Sequence, residues 1–155
     1  MIGFTLVELM VTIAIAAILA TLAVPAFNQA MLGSKLNSMS NSFVASAQLA
    51  RSEAIKRNGQ VTLCASSNGT SCGGGWKDGW IVVAGGVPIH SQGPLANNFE
   101  LSGNVTSINF QPSGMNATCT ALALKNTQYT SQERYLTITA TGRPRVDKTS
   151  TFTCS

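Results

Sequence analysis

Twenty-six consecutive residues, Leu9 to Ser34, carry no charge, and most are Leu, Ile, Val, Ala, Met or Phe. A helix rises about 1.5 Å per residue, so roughly 20 apolar residues cross the hydrocarbon layer of a bilayer. The run is long enough to span. One carboxylate, Glu8, stands at its N-terminal edge. A charged group is costly there, so its presence points to a function. A secretory signal peptide wants a basic start before the run and a small-residue cleavage site after it, and neither is clear in this chain. A plain anchor accounts for the span but not for Glu8 or the Gly3-Phe4 junction ahead of it.

The residues around that carboxylate, Gly3-Phe4-Thr5-Leu6-Val7-Glu8-Leu9-Met10, resemble the processing and assembly motif of type IV pilins and type II secretion pseudopilins. The resemblance implies that a prepilin peptidase cuts after Gly3 and methylates the new N-terminus at Phe4. It implies that Glu8 neutralises the N-terminal amine of a neighbouring subunit during assembly. It further implies a single pass through the bacterial inner membrane, a periplasm-facing domain, and later incorporation into a pilus or pseudopilus with other pilins as partners. The leader Met1-Ile2-Gly3 departs from the pattern in being very short and lacking Lys or Arg. The expected organisation is a leader remnant over 1–3, a membrane and filament-core helix half over 4–33, and a globular part over 34–155.

Beyond Ser34 about 120 residues remain, enough for one modest domain. All ten Lys and Arg lie there, against five of the six Asp and Glu, an excess that favours polyanions only weakly unless it clusters. Four cysteines follow a membrane-inserted N-terminus and so face an oxidising compartment, where an even count suggests disulfides. Three pairings are open. The short loop of turn-forming residues favours Cys64–Cys72, and Cys119–Cys154 would then tie down the C-terminus. Zinc would need tighter paired spacing and more His than the single His90. No metal or cofactor is expected.

Residues 5–57 read as one helix, bent near Pro25, where a backbone donor is missing. In its second half Leu36, Met39, Phe43, Ala47, Ala50 and Ala54 recur every three or four residues, while Lys35, Asn37, Ser38, Asn41 and Ser52 fall elsewhere. Asn58-Gly59 supplies a stop. The pattern then turns to β: a strand at Val61–Cys64, a Ser/Asn/Gly-rich loop over 66–75, and a hairpin of Trp80–Ala84 and Val87–His90 around Gly85-Gly86. Pro88 marks an edge strand. Further strands are expected near 105–110, 120–125, 134–139 and 150–154. The predicted class is α+β, a type IV pilin-like fold with a long N-terminal helix packed on an antiparallel β-sheet. The run Ala50-Arg51-Ser52-Glu53-Ala54-Ile55-Lys56-Arg57-Asn58, a Val-Thr-Leu-Cys strand and Trp76-Lys77-Asp78-Gly79-Trp80 resemble the GspH/FimT group of minor pilins and pseudopilins, FimT most and FimU second. Trp76, Asp78, Gly79 and Trp80 read as a structural turn that buries indole rings.

An enzyme needs a nucleophile with a base, paired acids or a metal. His90 has no partner motif, and Gly73-Gly74-Gly75 lacks the Lys-Ser/Thr of a phosphate loop, so no catalysis is expected. The segment Thr141-Gly142-Arg143-Pro144-Arg145-Val146-Asp147-Lys148 is more informative. Three cations fall within six residues on what Gly142 and Pro144 make a stiff turn, and Arg134 lies a strand-length upstream. Guanidinium forks match phosphate oxygens. The segment resembles the Gly-Arg-x-Arg motif of FimT-like pilins that bind DNA during natural transformation, which implies Gly142, Arg143 and Arg145 as DNA-binding residues. Lys148 and Arg134 join them on charge. Binding of this kind is sequence-independent, and with about three phosphate contacts a fourfold rise in salt weakens it roughly 40-fold. The alternative is a structural minor pilin or type II secretion pseudopilin that primes or caps a filament, its basic turn solvated or touching a neighbouring subunit.

Overall fold

The computed structural model describes Gly3 and residues 5–116, 118–129 and 132–149. The chain divides into two compact units, Met1–Lys35 and Leu36–Ser155. One helix, α1 (Leu6–Arg57), contributes to both, and its assignment runs unbroken through Pro25.

In the first unit α1 starts because Thr5 caps it. The Thr5 Oγ1 accepts the Glu8 backbone N–H at 3.2 Å, satisfying one of the donors a helix start leaves unpaired. Thr12 and Thr21 donate their hydroxyls to the carbonyls of Leu9 and Ile18 at 2.8 and 2.7 Å. These two hydroxyls are thereby satisfied within the helix, as a lipid environment requires. Most of the described apolar side chains of this stretch are left uncovered: Leu6, Leu9, Ile13, Ile18 and Phe27 are all more than half exposed. Among the described residues α1 is the one helix long and apolar enough to cross a membrane.

In the second unit the periodic stripe of α1 is the core. Leu36, Phe43, Ala47, Ala50 and Ala54 are fully buried and Met39 partly so, while Lys35, Asn37, Ser38, Asn41 and Ser52 are exposed. The helix ends in a Schellman motif: Gly59 N–H donates to the Ala54 carbonyl and Asn58 N–H to the Ile55 carbonyl. Asn58, rather than Gly59, takes the left-handed conformation, with φ 47°.

Among the described residues eight strands follow: β1 (Val61–Ala65), β2 (Trp80–Ala84), β3 (Val87–Gln92), β4 (Phe99–Gly103), β5 (Ser107–Phe110), β6 (Thr120–Asn126), β7 (Glu133–Ile138) and β8 (Pro144–Asp147). They form two antiparallel four-stranded sheets, in the orders β3-β2-β1-β5 and β4-β6-β7-β8, instead of one sheet. The expected edge position of Pro88 holds, since β3 is outermost, and the register slips one residue beside it. Two strands depart from expectation. β4, apolar at alternate positions between Asn97-Asn98 and Gly103-Asn104, is a strand beyond those expected. β8 occupies the stretch read as a stiff turn, because Pro144 needs no ladder N–H at the first position of an outer strand. The strand expected near 150–154 lies outside the described residues, and so does Cys154 of the expected Cys119–Cys154 pair.

Aromatic packing joins α1 to the first sheet. The Phe43 ring meets Trp76 and Trp80 edge-on, at centroid separations of 5.6 and 5.5 Å. The indole N–H of Trp80 donates to Ser46 Oγ at 2.9 Å, and that of Trp76 to the Val105 carbonyl at 2.6 Å. Both tryptophans are buried, so the Trp76–Trp80 turn is structural as read. Gly79, at φ 119°, lies so close to the Gln92 carbonyl that any Cβ would collide with it. Cys64 and Cys72 form the favoured disulfide, closing the 66–71 loop against β1.

Candidate functional site

The basic segment sits at the end and outer edge of the second sheet. β7 and β8 are joined by a tight turn in which Gly142 N–H donates to the Thr139 carbonyl at 2.8 Å. Gly142 has φ 73°, where a side chain is strained. The Thr139 N–H then donates to the Arg143 carbonyl at 3.2 Å, and Thr139 Oγ1 accepts the Arg143 N–H at 3.3 Å. Arg143 is thus held on both backbone sides before β8 begins. Asn116 N–H donates to the Ala140 carbonyl at 3.0 Å and docks the turn on the 111–116 loop.

Register divides the expected cations into two groups. Pairing of Thr137 with Arg145 and of Ile138 with Pro144 puts Arg143 and Arg145 on one face, two residues and about 7 Å apart along the strand. Both are exposed. Asp147 shares their face. Lys148, also exposed, instead lines a shallow open depression with Gln132, Glu133 and Arg134. Arg134 is a correction to the expected set. It is only 7% exposed, its Nε donates to Asn37 Oδ1 at 3.0 Å and its Nη1 to the Glu133 carbonyl at 2.9 Å. A guanidinium that ties β7 to α1 is largely withdrawn from solvent.

Three ion pairs occur among the described residues, Glu53 with Lys56 and with Arg57, and Glu100 with Lys125. None engages Arg143 or Arg145. One cation that sequence reasoning missed lies beside them. Arg51 of α1 approaches both Gly114 and Gly142, and its Nε is buried without a hydrogen-bond partner among the described residues. Ninety-two positions separate Arg51 from Arg143, so no local pattern could have joined them.

At the other end of the chain, Gly3 has open space around it and Glu8 is exposed; Phe4 lies outside the described residues. His90 is exposed on β3 opposite Val82. No cluster of three or more metal-ligating side chains occurs among the described residues.

The model of the type II transport protein GspH matches residues 39–142, two thirds of the chain. The chain belongs to the GspH family. The prokaryotic N-terminal methylation motif matches residues 2–24, the stretch holding Gly3, Phe4 and Glu8. Among solved structures, this GspH-family chain is similar to two crystal forms of the type IV minor pilin FimU of Pseudomonas aeruginosa. Their TM-scores are 0.63 and 0.61 at 22% and 21% identity, covering 79% and 77% of this chain and 96% and 100% of FimU. It is also similar to the minor pseudopilin EpsH of the Vibrio cholerae type 2 secretion system, with a TM-score of 0.56 at 14% identity, covering 74% of this chain and 97% of EpsH. At those identities the likeness is one of fold. No curated protein sequence matches the chain. The GspH family and the methylation motif make the chain a minor pilin or pseudopilin, whose family context implies assembly with other pilins and handling by a prepilin peptidase.

Proposed function

We propose that this subunit is a DNA-binding minor pilin of the FimT kind, taking part in DNA uptake during natural transformation. The observation that carries the reading is the pair Arg143 and Arg145: exposed, on one face, outside every ion pair among the described residues, and held by the Gly142 turn. Two guanidinium forks on a strand already ordered by the fold lose little freedom on binding phosphate. The Gly-Arg-x-Arg resemblance supports the same reading. The first helix half anchors the subunit in the inner membrane and then in the filament, where Glu8 meets a neighbour's amine. No catalytic step belongs to this reading.

The test uses the full chain in nonionic detergent micelles with duplex DNA of mixed sequence across a salt series. Each phosphate contact contributes about 0.9 to the slope of log K against log salt. The Arg143→Gln/Arg145→Gln variant should bind weakly, with the slope shallower by about 1.8. Wild-type binding absent, or unchanged in the double variant, would discard the proposal. In cells the double variant should lose uptake and keep its filaments, whereas Glu8→Ala should lose both. The second reading is a structural minor pilin or pseudopilin that primes or caps a filament, favoured by the fold shared with FimU and EpsH. Equal loss of filaments and uptake in the arginine variant would select it.

A further inference from the structure

We infer that Arg51 is a third phosphate-binding residue of the same interface, reaching from the end of α1 beneath the Gly142 turn to complete a site that the C-terminal segment only half supplies. The inference rests on the DNA-binding reading above and adds a residue that the Gly-Arg-x-Arg segment does not contain.

Three parts of the chain converge at this corner. The turn closed by Gly114 N–H and the Gln111 carbonyl packs against α1, and the Gly142 turn packs against it in its place. A Cβ built on Gly142 would collide with the Gly114 carbonyl. A Cβ on Gly114 would stand 3.1 Å from Arg51 Nε, and one on Gly142 would stand 3.5 Å from the same atom. Both glycines have positive φ, 75° and 73°. They therefore do two things at once: they permit the turns, and they leave room for the Arg51 side chain. Because Gly142 precedes Arg143 directly, Arg51 Nε lies within about 9 Å of the Arg143 Cα, a bound set by the 3.5 Å approach to a built Cβ, a Cα–Cβ bond of about 1.5 Å and one Cα–Cα step of 3.8 Å. Arg51 and the start of the Arg143–Arg145 segment thus stand at the same corner of the fold.

The charge of Arg51 is unspent. No ion pair among the described residues includes it, and the nearest acid in sequence, Glu53, is held by Lys56 and Arg57. Its Nε is walled in without a partner, while the residue as a whole keeps partial exposure. A guanidinium whose inner edge is fixed by packing presents its outer Nη edge in one orientation. That rigidity suits the planar, two-pronged binding of a phosphate better than a free surface chain would. Asp147 lies on the same face as Arg145, two residues further along β8.

The experiment compares Arg51→Gln, Arg51→Lys and Lys77→Gln with wild type, full chain in detergent, on a mixed-sequence duplex over a salt series. Loss of one phosphate contact should make the slope shallower by about 0.9, so that a fourfold rise in salt weakens binding roughly 12-fold instead of roughly 40-fold. At about 0.1 M salt the affinity of Arg51→Gln should fall about eightfold. Arg51→Lys, which keeps the charge without the fork, should restore most of the slope. Lys77→Gln, a change of net charge at the first sheet, should leave the slope as in wild type. An unchanged slope in Arg51→Gln overturns the inference. So does an equal change in Lys77→Gln, which would assign the effect to net charge, or a lowered melting temperature with binding lost in both Arg51 variants, which would assign it to packing. The Arg143→Gln/Arg145→Gln variant separates the two claims: if it binds as wild type, the interface itself fails; if it alone weakens binding, the interface stands and Arg51 lies outside it.

Discussion

The two halves of α1 follow opposite rules. From Leu6 to Gly33 nearly every side chain is apolar or small and almost all are exposed; from Leu36 to Arg57 only a stripe is apolar and that stripe is buried. An apolar surface that the chain leaves open needs lipid or another subunit to cover it. An apolar stripe on a polar helix needs only the chain's own sheets. The same backbone geometry thus serves intermolecular contact in one half and intramolecular folding in the other. The difference lies in how evenly the apolar residues surround the axis.

Alanine in each half breaks the comparison most directly. Phe43→Ala removes the ring that packs on Trp76 and Trp80 and should cost about 3–5 kcal/mol in thermal unfolding of the globular unit. Phe27→Ala, at a ring 66% exposed, should leave that unfolding unchanged and act only on membrane or filament partners. If Phe27→Ala destabilises the globular unit as Phe43→Ala does, the division of labour fails.

A smaller effect tests whether the buried half depends on polar contacts as well. Ser46→Ala strands the Trp80 indole N–H in the core, and an unpaired buried donor costs about 1–3 kcal/mol. Ser46 Oγ also donates to the Ser42 carbonyl at 2.9 Å, so the hydroxyl is engaged twice. Denaturant midpoints equal to wild type would show that the indole finds another acceptor.

The smallest effect concerns the last turn of α1. Arg57, then Lys56, holds the Glu53 carboxyl below its ordinary value of 4.5. A carboxylate with a lowered folded pKa contributes stability above the unfolded value, and the contribution is lost as pH falls through the folded one. The melting temperature of wild type should therefore exceed that of Glu53→Gln slightly at neutral pH, with the gap closing below about pH 4.5. A gap that persists at low pH would assign the effect to packing.

Legibility differed with the range of the interaction. The helix, its stripe and its stop were readable because each is a pattern within a few residues: period 3.6 for Leu36 to Ala54, Asn58-Gly59 for the end. The Cys64–Cys72 bridge was readable from its short turn-rich loop. Arg134 misled, because a cation near other cations in sequence looks like one patch, yet the pleat turned it inward toward Asn37. β8 misled because its proline suggested a turn where an outer strand tolerates it equally. Arg51 was invisible, since its neighbours Gly114 and Gly142 come from loops far along the chain.

By itself the sequence determined the long helix, the membrane-length apolar half, the α+β class and the pilin-type N-terminal motif, because hydrophobic period and local motifs act over a few residues. Only the tertiary structure decided that the strands split into two sheets, that Arg143 and Arg145 face out together while Arg134 turns inward, and that Arg51 stands under their turn. Those outcomes depend on strand register and on two glycine turns meeting a helix end, contacts between residues that no local pattern relates.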